Sequence, residues 1–406
     1  MTIALHQPLL SPRSSRIAPA PVAVLRRRIA ALRATGRTVI DMSSGELDFA
    51  TPDRVIAAAH AAALRGETHY TSTDGSPEMK DAVRAALARD HGLAFTREEI
   101  AVCNGSIQAL YNALLATLAP GDEVIVPAPY WAPYLDQVRL ADGVPVTVAC
   151  PQNNGFRLRP EDLAAAITPR TRWLILNNPV NPTGAVYSES DLAALAALLQ
   201  DHPRISILAD GLYEHIVYGG RRAPTFAAVA PQLRDRILTV SGVAKAYAMT
   251  GWRIGYAAGP ATLIAEIAKI QSLTTSCASS ISQAAAIAAL TGPQDLLRAR
   301  VAELEGRRDA VIALINRCEG LSCTAPEGAL YLFASCADLI GRTTPDGMRL
   351  ATDRDVAVYL LDAAGVAVHP GSDNGLSPYI RMSFGYALPV LAAAGAQIGR
   401  ACTQLR

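Results

Sequence analysis

Short apolar runs alternate with longer alanine- and leucine-rich stretches through the middle of the chain. The runs Glu123 to Val126, Trp173 to Leu176, Ile205 to Ala209, Ile237 to Val240 and Ile254 to Ala258 are apolar at most positions on both alternating faces, the mark of strands buried on both sides. Between them, Ile107 to Leu118, Ser188 to Leu199 and Ala261 to Leu273 carry helical spacing. This alternation predicts the α/β class, a mostly parallel sheet with helices on both faces.

The texture changes after a helical region from about Gln294 to Asn316. Shorter strands are predicted at Leu330 to Phe333, Val366 to Val368 and Tyr379 to Ser383, then a helix from about Leu388 to Gln404. These shorter elements read as a smaller α+β domain. The expected division is 1–55 as an N-terminal arm and part of the small domain, 56–300 as the large domain and 301–406 as the small one. At 406 residues the chain suits two domains sharing a site. The segment through Arg16 has no apolar stretch behind a basic start, so a loose arm is expected rather than a signal peptide. No apolar run approaches the roughly 18 residues of a spanning helix.

The formal net charge is +1, with both signs interspersed, which argues against nucleic acid or an anionic membrane as partner. Seven scattered cysteines with no CxxC pair fit reduced thiols, and a cytoplasmic protein is expected. The seven histidines do not cluster, so no metal site is expected, and GxxxxGK(S/T), GxGxxG, HExxH and GxSxG are absent from the sequence. One count changes the picture. Of 37 basic residues only three are lysines: Lys80, Lys245 and Lys269.

Lys245 follows the strand Ile237 to Val240 in Ser241-Gly-Val-Ala-Lys245-Ala-Tyr-Ala-Met-Thr-Gly-Trp-Arg253. Burial among small residues would disfavour its charge, which an imine-forming amine requires. Arg253 suits a phosphate dianion. Asp210, at the end of Ile205 to Ala209, stands where ligands bind in open α/β sheets, with Tyr213 three residues on. As a lone pattern, Asp-x-x-Tyr equally describes a helix cap. Asn177-Asn-Pro-Val-Asn181-Pro-Thr-Gly makes a rigid turn presenting Asn181 at the same edge. Cys103-Asn-Gly105-Ser106-Ile107 reads as strand, glycine turn and helix start, a place for an anion. Trp131 could stack on a flat ligand or simply fill core. Gly45 opens a loop near the N-terminus. Arg381 sits in an apolar strand, where it needs an anionic partner, either an internal carboxylate or a ligand's.

In this order, these pieces resemble the class I aminotransferases of the pyridoxal-phosphate fold-type I superfamily, above all the bacterial aspartate aminotransferase subgroup. The likeness runs from about Ser15 to the C-terminus and is strongest at Lys245 through Tyr256. It implies pyridoxal 5′-phosphate held as a Schiff base on Lys245, which also shuttles the substrate proton. It further implies that Asp210 pairs with the pyridine nitrogen, Tyr213 and Asn181 bind the phenolic oxygen, and Trp131 stacks on the ring. Arg253 and the backbone of Gly105, Ser106 and Ile107 would hold the phosphate. Tyr70 would reach the phosphate of a partner subunit, which implies a homodimer with shared sites. Arg381, the Gly45 backbone, Trp131 and Asn181 would meet the amino-acid substrate.

The chain departs from that pattern on the substrate side. Ile107 stands where the subgroup usually carries a lysine that meets the distal carboxylate. Leu273, Cys277 and Ala278 replace glutamine, asparagine and proline, and Asn374 replaces an aromatic. Ser44, Leu47 and Gly211 also differ. Losing one charged partner of a buried carboxylate costs about 3–5 kcal/mol, so weak aspartate turnover is expected. The expectation is an aminotransferase for a neutral or hydrophobic amino acid, with a 2-oxo acid as acceptor. The rivals are oxidation, elimination, cyclisation or carbon–carbon bond formation on the same cofactor, and a non-catalytic pyridoxal-binding regulator.

Overall fold

The computed structural model describes residues 11–17, 19 and 21–406. A seven-stranded sheet organises the larger part. Its strands lie in the order Ile100–Cys103, Gly255–Ala258, Ile237–Gly242, Ser206–Asp210, Thr171–Asn177, Glu123–Ala128 and Val144–Ala149. Gly255–Ala258 runs antiparallel to both neighbours, and all other pairs are parallel. The expected mostly parallel α/β sheet is therefore present.

Alternation along the strands feeds two cores. Trp173, Ile175, Leu208 and Val240 pack on one face, with Leu110, Leu114 and Ile267 from the helices Ser106–Thr117 and Ala261–Thr274. Leu174, Leu176 and Ile207 pack on the other, with Leu192, Leu195 and Leu199 of Glu189–Gln200. The edge strand Val144–Ala149 escaped the sequence reading for a physical reason. It contains Pro145 and is largely half-exposed, so it lacks an apolar run.

A three-stranded antiparallel sheet of His369–Pro370, Tyr379–Ser383 and Tyr331–Ser335 forms the smaller unit. Ile40–Asp41 pairs in parallel with Val366–Ala367, which ties the N-terminal segment to that unit. The two-residue strands are too short to leave a period in the sequence. The 21-residue helix Asp295–Ile315 leads from the large sheet toward the small one. For residues 1–10 the loose-arm expectation lies outside the described residues. The turn Pro12–Arg16 is not loose: Arg13 binds Asp142 at 2.9 Å and Arg16 pairs with the same carboxylate. Among the described residues no helix is long and apolar enough to cross a membrane.

Candidate active site

Thr171–Asn177, Ser206–Asp210 and Ile237–Gly242 end along one edge, with Asn177 beside Asp210 and Asp210 beside Val240. A cavity of about 510 Å³ opens there, reaching the small sheet at Tyr331 and Arg381. Lys245, Asp210, Tyr213, Asn181, Trp131, Gly105, Ser106, Ile107, Arg253, Gly45 and Arg381 all line it. Tyr70 does not; it is 88 % exposed, facing away from its own chain.

Lys245 is half-buried, less enclosed than its sequence context suggests. Its Nζ donates to the Gly45 carbonyl at 2.7 Å and lies 5.8 Å from the centre of the Tyr213 ring. The other lysines are engaged elsewhere: Lys80 pairs with Asp74, and Lys269 with Glu266 at 2.6 Å. Lys245 has no carboxylate partner among the described residues. Glycine at 45 lets the Tyr331 hydroxyl close in, since a Cβ there would stand 2.3 Å from it.

Asp210 is buried, and both its oxygens accept hydrogen bonds. The Tyr134 hydroxyl donates to Oδ2 at 2.6 Å and the Leu212 amide to Oδ1 at 3.0 Å. Burial pushes the Asp210 carboxyl above the usual carboxylate range, and these two donors oppose that rise. Sequence reasoning missed Tyr134. Its signal was a second aromatic three residues after Trp131, against which it packs edge-on at 5.3 Å. Beneath lies Glu214, also buried, held by His91 at 2.7 Å and Ser241 at 2.6 Å. Removing the Tyr134 hydroxyl should leave a buried carboxylate short of one charge-assisted bond, worth about 1.5–3 kcal/mol. A Tyr134→Phe protein should therefore bind its cofactor at least tenfold more weakly in equilibrium titration. An unchanged dissociation constant would show that Tyr134 has no part in setting Asp210.

An anion cradle forms where the helix Ser106–Thr117 begins. Gly105 has φ +83, and a Cβ there would stand 2.5 Å from Arg253 Nη2, so only glycine lets the arginine close in. The Gly105 amide already donates to the Cys103 carbonyl at 2.8 Å. That corrects the expected donor set: the amides of Ser106 and Ile107 remain for an anion, and the Gly105 amide does not. Arg253 Nη1 donates to the Thr250 carbonyl at 2.8 Å, and no carboxylate among the described residues pairs with it.

Arg381 is 6 % exposed. Its Nη1 donates to Asn181 Oδ1 at 3.1 Å and its Nη2 to the Ser43 carbonyl at 3.0 Å, with the guanidinium over the Tyr331 ring. It meets no carboxylate among the described residues, so the internal ion pair is not formed. Tyr331, unnoticed in the sequence, also meets Tyr213 hydroxyl to hydroxyl at 2.9 Å. Ile107 is 38 % exposed in the cavity wall. Leu273, Cys277 and Ala278 do not line the cavity of their own chain.

Residues 37–390 match the family described as aminotransferase class I and II. The chain is 50% identical over 393 residues to an aspartate aminotransferase of Rhizobium meliloti (strain 1021), covering 97% of this chain and 96% of the relative. It is 47% identical over 396 residues to an aspartate/prephenate aminotransferase of Cereibacter sphaeroides, covering 98% and 99%. The crystal structure of the Rhizobium meliloti aspartate aminotransferase superimposes with a TM-score of 0.95 over 98% of this chain and 99% of that one, at 50% identity. The Thermus thermophilus aspartate aminotransferase with maleate gives 0.89 at 37% identity, over 97% and 99%. The chain belongs to the class I and II aminotransferases, of fold type I, and is an aminotransferase that uses pyridoxal phosphate. The cavity fits that group: it offers an amine without a carboxylate partner, an arginine and two free amides for a phosphate, and a buried carboxylate for a ring nitrogen.

Proposed function

We propose that this enzyme takes the amino group from an amino acid with an uncharged side chain, rather than from aspartate, and passes it to a 2-oxo acid in a ping-pong cycle. The observation that carries this is Ile107 in the cavity wall. A distal carboxylate would meet an apolar branch there, and Asp373 on the small-domain side. Beyond Lys245, Arg253 and Arg381, the remaining lining arginine is Arg26, on the exposed face of the helix Pro21–Ala34. Relatives named for aspartate keep that substrate among the candidates; the changed wall argues against it.

Pyridoxal phosphate, when bound, supplies an aldehyde that accepts amino groups and a ring that takes up electrons from the bond broken at Cα. The chain's residues divide the remaining work. Arg253 with the Ser106 and Ile107 amides would hold the phosphate, and Trp131 would flank the ring. Asp210 would keep a proton on the ring nitrogen, whose charge would in turn offset the burial of the carboxylate. Tyr213 and Asn181 would bind the phenolic oxygen. Arg381 would clamp the substrate carboxylate, and Lys245 Nζ would take the α-proton and hand it to the cofactor's C4′ carbon, on the far side of the imine nitrogen. These roles rest on the geometry together with the family resemblance.

Half-reaction spectra of the purified enzyme against a panel of amino acids test the substrate assignment. Rapid cofactor conversion by neutral or aromatic amino acids, and slow conversion by aspartate, is the expected pattern. A strong aspartate preference would refute it.

A homodimer with shared sites in the cytoplasm completes the proposal. Tyr70 supports it, because it is exposed on its own chain and does not line its own cavity. Light scattering should give a dimer or larger, and Tyr70→Phe should weaken cofactor retention. An active monomer would contradict this.

A further inference from the structure

We propose that His369 reads the side chain of the amino donor, and that the preferred substrates end in an uncharged N–H or O–H hydrogen-bond donor. This rests on the reading of the cavity as the amino-acid site. His369 lies directly opposite Arg381 in the antiparallel pair of His369–Pro370 with Tyr379–Ser383. Opposed residues in such a pair project to the same face, here the face from which Arg381 reaches Asn181 and Ser43. His369 accordingly lines the cavity, yet it is buried and its Nε2 has no hydrogen-bond partner among the described residues. Buried polar atoms are rarely left so, and a ligand is one way to satisfy them.

The neighbours of the ring fix what it can offer. Its Nδ1 lies 3.9 Å from Asp373 Oδ2, beyond hydrogen-bond reach but near enough for the carboxylate's charge to favour the proton on Nδ1, which leaves Nε2 an acceptor. Burial, with Arg381 and Arg354 nearby, pushes the imidazole down to about 3, so it is neutral under ordinary conditions. Asp373 is itself paired on its outer side with Arg354 and does not call for a second cation. A side chain ending in carboxylate would set its oxygens against the Nε2 lone pair and Asp373. One ending in methyl would leave Nε2 unpaired. A hydroxyl or amide donor would satisfy it, and a site built around a buried acceptor discriminates strongly against analogues lacking the donor.

Matched pairs test this on the holoenzyme: tyrosine against phenylalanine, and glutamine against methionine, followed by half-reaction rates. In the better-fitting pair, the donor-bearing member should have about tenfold higher kcat/KM. His369→Val should remove that advantage, slowing the donor-bearing substrate about tenfold while the apolar one stays within about twofold. His369→Gln, which keeps an acceptor, should retain part of it. Absence of any donor preference in the unmodified enzyme, or its survival in His369→Val, would overturn the proposal; the first result needs no variant to fold. Efficient, indifferent use of phenylalanine and methionine would sink this inference alone. Reaction with acidic amino acids only would sink the substrate assignment beneath it.

Discussion

An Arg381→Ala enzyme should lose about 10²–10³-fold in kcat/KM for its best amino acid while still binding its cofactor. The guanidinium is enclosed, is held by Asn181 and Ser43, and faces the cavity without a carboxylate of its own. Truncating one partner of a buried, hydrogen-bonded charge pair costs about 2–5 kcal/mol, and each 1.4 kcal/mol is about a decade. Arg381→Lys should recover little, because an ammonium cannot reproduce the two-pronged grip or the stack on Tyr331. Steady-state kinetics and the visible spectrum of the variant decide the matter. A drop below about fivefold would place the substrate carboxylate elsewhere.

Ile107→Lys should move the enzyme toward aspartate, raising kcat/KM for it by about two- to a hundredfold. An ion pair formed at the cavity wall is discounted from its fully buried value because the position is partly exposed, leaving about 1.5–3 kcal/mol. Against this stands the cost of a cation in the first turn of the helix Ser106–Thr117, about 0.3–1 kcal/mol. The favourable effect is larger, so the sign is fixed. The ratio of aspartate to the best neutral substrate is the quantity to measure. If the unmodified enzyme already favours aspartate and the lysine adds nothing, Arg26 becomes the cation to examine.

The parts of the site legible in the sequence were those with a local signature. Asp210 ended an apolar run, Lys245 was one of three lysines, and Gly105 broke a strand before a helix, so each could be placed before any contact was known. Contacts between distant segments were not legible. Tyr134 reaches Asp210 across 76 positions and Tyr331 reaches Tyr213 across 118, and neither tyrosine sits in a motif that marks it. Direction was equally hidden: Gly255–Ala258 has the apolar texture of a parallel strand yet runs antiparallel. The Gly105 amide looked free because its bond to Cys103 depends on a turn geometry that composition does not reveal.

The central claim is that the cofactor is held on Lys245 within this cavity. Reduction of the purified, cofactor-loaded enzyme with borohydride, followed by peptide mapping, measures it directly. The visible absorbance should be lost and the reduced adduct should appear on the peptide containing Lys245. An adduct on Lys80 or Lys269, or no visible absorbance after cofactor is added, would contradict the claim.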